Sequence, residues 1–125
     1  MTPLEAVTHL FTCLQLADGR MDFEEREAWA DAISELFPDH SEGRAVDFMQ
    51  DASRSILLMD SFGRRNYAIN LCGIINDHFS EEDLQNKFGP KVANLVEADG
   101  MVFSSEKEMV EDIEKELGIT ITLED

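Results

Sequence analysis

The stretch "LADGRMDFEE" at residues 16–25 sets carboxylates where the second half of a calcium-binding loop has them. Such a loop draws oxygen ligands from positions 1, 3, 5, 7, 9 and 12, with a glycine at position 6 for the sharp turn. If Gly19 is the sixth residue, Asp18 falls at the fifth, the Arg20 carbonyl at the seventh, Asp22 at the ninth and Glu25 at the twelfth. The first and third positions are then Leu14 and Leu16, which carry no side-chain oxygen and continue an apolar helix face. The stretch is half a calcium loop at the end of a helix.

Helix punctuation explains much of the same pattern. Gly19 suits a left-handed C-cap, and Asp22 and Glu25 suit the N-cap and first turn of the next helix. Asp18 is harder to place, because an acid in the last turn of a helix opposes the macrodipole by about 0.3–1 kcal/mol. Its charge must be met either by amide hydrogens of the following helix or by a cation, and the amide reading is preferred because short motifs match by chance.

The half-loop occurs twice. Shifting the sequence by 81 residues lays "ADGRMDFEEREAWADAISEL" over "ADGMVFSSEKEMVEDIEKEL". Ala17, Asp18, Gly19, Glu25, Glu27, Asp31, Glu35 and Leu36 then meet identical residues at Ala98, Asp99, Gly100, Glu106, Glu108, Asp112, Glu116 and Leu117. In the second copy Phe103 replaces the acid at the ninth loop position, and Glu97 stands at the third.

Two helix-"ADG"-helix units, about residues 3–37 and 80–118, flanking a helical middle resemble the tellurite-resistance TerB-like family over nearly the whole chain. The resemblance implies a compact all-α domain with pseudo-twofold symmetry, of a kind found in bacterial stress-resistance systems and in some membrane-anchored J-domain co-chaperones. It also implies a divalent cation held by Asp18, Asp22, Glu25, Asp99 and Glu106, and because Leu14 and Leu16 supply no oxygen, calcium or magnesium is expected to bind only weakly. Phe103 departs from a symmetric two-loop site. The resemblance names no reaction.

A second pattern follows each loop. Glu27, Asp31 and Glu35, and in the second copy Glu108, Asp112 and Glu116, recur every four residues and so stack along one helix face. Like charges at this spacing cost about 0.2–0.5 kcal/mol per pair. They form either a solvated face inherited by duplication or a docking surface for a basic protein partner. The formal net charge of -17 is concentrated in the repeats, with nine acids against two bases in residues 1–40 and ten against two in residues 92–125. Residues 41–91 are nearly balanced, at eight against six. This balance argues against a nucleic-acid surface, which needs clustered Lys and Arg.

Other chemistry is sparse. His9, His40 and His78 are scattered outside any ligand spacing, and no nucleophile elbow or phosphate-cradling glycine loop occurs, so a non-enzymatic protein is expected. His9 and Cys13 share a helix face, but packing accounts for them more simply than a metal. Arg64 and Arg65 are expected to pair with surface acids. Two cysteines without metal spacing fit a reducing compartment, and no basic leader or long apolar run precedes the first helix, so a cytoplasmic protein without membrane insertion is expected.

The elements that must carry these residues are helices. At 125 residues and 43% apolar content the chain suits one domain, a bundle of about six to seven helices. Thr2-Pro3-Glu5 starts a helix with Val7, Leu10, Phe11, Leu14 and Ala17 inward. Trp29, Ala32, Ile33, Leu36 and Phe37 mark the second. Val46, Met49, Ala52, Ile56 and Leu57 mark a third capped by Ser41, and Ala68, Leu71, Cys72, Ile75 and Phe79 a fourth after "DSFG". Ser80 and Asp83 open a fifth, which Gly89-Pro90 is expected to break or kink before Val92, Leu95 and Val96. Met109, Val110, Ile113 and Leu117 mark the last, closed by Gly118, and the alternating tail "ITITLED" suggests a short extended segment.

Overall fold

The computed structural model describes residues 2–16, 23–38, 42–97 and 104–123, and these are helical almost throughout, with no strand among them. In chain order they form α1 (Pro3–Gln15), α2 (Phe23–Leu36), α3 (Glu42–Leu57), α4 (Ser61–His78), α5 (Glu81–Asp83), a π-helical turn (Leu84–Phe88), α6 (Gly89–Val96) and α7 (Ser104–Leu117). The π turn joins α5 to α6 without a gap, so the described residues make six helical rods of an all-α domain. Helices α2 and α7 begin and end 81 positions apart, the same offset that aligns the two sequence repeats.

Local signals set most of the ends. The Thr2 hydroxyl accepts the Glu5 N–H at 3.2 Å, Asp60 accepts that of Gly63 at 2.7 Å, and Ser80 accepts that of Asp83 at 3.1 Å. Each satisfies a donor that the first helical turn leaves open. Gly118, at φ +67°, closes α7, and its N–H and that of Ile119 both reach the Glu114 carbonyl. The caps expected at Gly19, Asp22, Ser41 and Gly100 lie outside the described residues.

Helix α1 is the axle of the fold. The stripe Val7, Leu10, Phe11 and Leu14 is fully buried as expected, but so is every other residue from Ala6 to Leu16, because α2, α3, α4, α6 and α7 all pack against this helix. A helix enclosed on all sides must satisfy its polar side chains internally. The Thr8 and Thr12 hydroxyls do so by donating to the Leu4 and Thr8 carbonyls at 2.7 and 2.8 Å. An aromatic chain then ties the far ends of the other rods to it. Phe11 stacks on Phe88, Phe88 meets Phe79 at the end of α4, and Phe79 meets Phe37 just past α2.

Gly89-Pro90 does not break its helix. Proline cannot donate to the carbonyl four residues back, and its ring clashes there. The widened π turn at Leu84–Phe88 absorbs this misfit, with the Gly89 N–H reaching back five residues to the Leu84 carbonyl. The chain after α7 then lies across this turn. Ile119 and Ile121 are buried, as the alternation suggests, yet the segment pairs with no strand. Instead the Gln85 side-chain amide donates to the Thr120 carbonyl at 2.8 Å and accepts the Thr120 N–H at 3.0 Å, while Glu114 accepts the Ile121 N–H at 2.8 Å.

The rods alternate in direction, and Arg64 defines one end of the bundle. From the start of α4 its Nε donates to the Ile56 carbonyl at 3.0 Å and its Nη1 to the Leu16 carbonyl at 3.2 Å, closing α3 and α1 together. The expectation that Arg64 pairs with a surface acid is therefore corrected. Its acceptors are helix-end carbonyls, and that of Ile56 also accepts the Met59 N–H at 3.1 Å. Replacing Arg64 with Met should lower the unfolding free energy by about 1.5–3 kcal/mol, the range for hydrogen bonds from a charged donor. Urea titration checks this, and Arg65→Met should cost less.

Candidate functional site

The two acid ladders occupy different surroundings. On α2, Glu27, Asp31 and Glu35 are all exposed, and of the three only Glu35 has an ion-pair partner among the described residues, Lys91 of α6. On α7, Glu108 and Glu116 are exposed, but Asp112 is half-buried and grips Arg65 of α4 in two parallel hydrogen bonds of 2.8 and 3.0 Å. Glu108 lies 3.8 Å from the same guanidinium. The Asp112 bond raises the Arg65 pKa further, so this arginine stays charged at any ordinary pH. The α7 ladder thus holds α4 and α7 together, whereas the α2 ladder faces solvent.

The flanks of both "ADG" stretches share one end of the bundle. Arg64 joins the end of α1 to the start of α4, and Arg65 beside it meets the middle of α7 at Glu108 and Asp112. The opposite end gathers Phe37, Phe79 and Phe88, so α2 and α4 run away from the first end and α6 returns to it. Asp18, Asp22 and Asp99 themselves, with the side chain of Glu25, lie outside the described residues. Glu106 is only 5% exposed in the first turn of α7. Leu14, Leu16 and Leu95, which hold the first and third loop positions of the first copy and the first position of the second, are packed into the core. A complete calcium loop does not fit this chain. No group of three or more His, Cys, Asp or Glu side chains among the described residues could hold a metal ion.

Of the nucleophile and acid–base candidates, His9, Cys13 and Cys72 are packed into the core. His9 is buried with its Nδ1 2.6 Å from the Tyr67 hydroxyl, joining α1 to α4. Burial lowers the His9 pKa below 6.5, although Glu5 and Asp51 pull it back upward. Burial also pushes both the Cys13 and Cys72 thiols up to about 12, which keeps them protonated and unreactive at neutral pH. Two surface clefts, of about 270 and 430 Å³, flank Pro90, and no His or Cys lines either. His78 is exposed, and His40 lies outside the described residues. No described helix is long and apolar enough to cross a membrane.

One feature escaped the periodicity. Leu57, expected inward on α3, is 49% exposed, and Leu58 and Phe62 are 90% and 75% exposed. The stripe shifts because Ala45 takes a core position that the spacing assigned to Val46, and Ile56 alone fills the last inward place. The run "ILLM" just before the Asp60 cap is the local signal: four apolar residues in succession cannot all face one side of a helix.

Compared with protein-family models, with curated proteins and with solved structures, the chain matches none. The resemblance to the TerB-like family therefore rests on the paired "ADG" units alone.

Two outcomes are expected. His9 binds its proton more weakly in the folded state than in the unfolded chain, so its contribution is fully present above pH 6.5, declines as the pH falls below that, and levels off beneath the folded pKa. Unfolding free energies measured between about pH 7 and pH 5.5 should fall less steeply for His9→Gln than for the wild type, and equal slopes would remove His9 as the source. For the half-loops, about 1 mM calcium or magnesium should shift Tm by no more than about 2 °C, since a half-filled millimolar site contributes roughly 0.4 kcal/mol. A larger shift at micromolar calcium, lost in Asp18→Asn, would restore the loops as a metal centre.

Proposed function

We propose that this chain is a non-enzymatic, acidic interaction domain that docks a protein partner with a basic surface, in a cytoplasmic stress-resistance system of the tellurite-resistance kind. The observation that carries the reading is the open α2 ladder. Glu27 and Asp31 are exposed, stacked one helical turn apart, and without an ion-pair partner among the described residues. Folding alone gives no reason for that arrangement, because stacked like charges destabilise a helix. A basic partner would relieve the repulsion and gain speed and selectivity of association from it. The contrast with α7, where Arg65 grips Asp112, the equivalent of Asp31, supports the reading. The repeated "ADG" units support the placement among stress-resistance proteins, and the two buried free thiols suit a reducing compartment.

A fluorescein-labelled oligolysine peptide provides the test. Its affinity should drop more than about tenfold between roughly 50 and 300 mM salt, as surface charges are screened over about 8–10 Å. Glu27→Gln/Asp31→Asn should weaken low-salt binding severalfold while raising the unfolding free energy by about 0.2–0.5 kcal/mol. Binding that ignores salt, or a double variant that binds like the wild type, would reject this function.

A further inference from the structure

The large hydrophobic side chains exposed among the described residues are Leu57, Leu58 and Phe62, at the end of α3, in the turn after it and at the start of α4. The turn does not need them. Its geometry is set by backbone bonds from Leu58 to Ser55 and from Met59 to Ile56, by the Asp60 cap on Gly63, and by Arg64 on the Ile56 carbonyl. Polar side chains at the three positions would leave every one of these contacts in place. A cluster of exposed apolar side chains within six residues of chain, a knob that the fold does not use, marks an interaction surface.

Its neighbours indicate what it meets. Phe62 and Arg65 lie three residues apart on α4 and so share a face. Arg65 in turn contacts Asp112 and Glu108 of α7, with Glu111 also close enough to act on it. Beyond the knob, across one arginine already committed to Asp112, the surface is therefore acidic, with Glu108 and Glu111 exposed. On the other side Arg54 is paired with Asp51, and Arg64, the remaining base at the turn, is bonded to the Ile56 and Leu16 carbonyls and offset by the exposed Asp60. A second copy of a chain with net charge -17 would bring like charge to this edge, and an anionic membrane would be repelled by it.

We propose that the α3–α4 knob and the adjoining face of α7 dock a basic amphipathic helix of a partner protein, whose apolar face covers Leu57, Leu58 and Phe62 and whose Lys or Arg side chains meet Glu108 and Glu111. This rests on the docking of a basic partner proposed above and adds a separate contact surface to it. Helix-to-surface recognition of this type takes its affinity from apolar anchors and its register from flanking charges.

The test uses a labelled peptide of two LKKLLKL heptads, a scrambled peptide of the same composition without an apolar face, and the oligolysine peptide. The wild type should bind the amphipathic peptide about tenfold tighter than the scramble. Leu58→Ser/Phe62→Ser, or Leu58→Ser alone, should reduce that preference with Tm and oligolysine binding unchanged, and Glu108→Gln/Glu111→Gln should weaken the amphipathic peptide selectively at low salt. If oligolysine binds but the knob variants keep the full preference for the amphipathic peptide, this inference fails while the acidic docking function stands. If oligolysine does not bind at all, the function itself fails. Wild-type protein sedimenting with uncharged phosphatidylcholine vesicles, or as a dimer that the knob variant dissolves, would replace the helix by a membrane or by a second copy.

Discussion

The structure depends on the burial, on every side, of one helix from its second turn onward. Helix α1 touches five other rods, so its side chains from Ala6 to Leu16 must suit neighbours in every direction. That requirement accounts for its composition, with apolar residues interrupted only by side chains that find internal hydrogen bonds or lie in the last turn. The two threonines bond to their own backbone, and His9 spans to Tyr67. It also accounts for where the charge is found. With the centre closed to ionised groups, acids are displaced to the outward faces of α2 and α7 and to the ends of the rods.

Much of this was legible in the residues. Trp29, Ala32 and Ile33 on α2, and Met109, Val110, Ile113 and Leu117 on α7, recur at helical spacing and are buried where that spacing puts them. Thr2, Ser80 and Gly118 act at the ends through contacts only a few positions long, which local pattern can capture, whereas α4 starts at Ser61 on an Asp60 cap, inside the "DSFG" expected to precede it. What escaped is long-range. Arg64 reaches a carbonyl 48 residues away, and Arg65 a carboxylate 47 away, so two adjacent arginines of identical type take opposite roles. The π turn also escaped, because a proline in a helical pattern reads as a break unless the surroundings pay for a wider turn.

The candidate site was legible in a different measure. The ladder spacing placed Glu27, Asp31 and Glu35 on one exposed face. Equivalence of the two ladders did not follow from their shared spacing, since the middle of the chain supplies an arginine to one and only a lysine at the far end to the other. The two matching stretches thus differ in electrostatics through their neighbours rather than through their own residues.

The Gln85 clamp has a consequence for how the chain after α7 tolerates change. One side-chain amide recognises both backbone groups of a single residue, Thr120, in the manner of a lone rung of a β-ladder. Because alternate residues of an extended segment face opposite ways, the clamp also selects which residues point inward: Ile119 and Ile121 rather than Thr120 and Thr122. A point substitution there alters one contact. Inserting or deleting a single residue between Gly118 and Thr120 would instead invert the whole segment, pressing threonines onto the core and turning both isoleucines to water, so the segment is far less tolerant of length changes than of sequence changes.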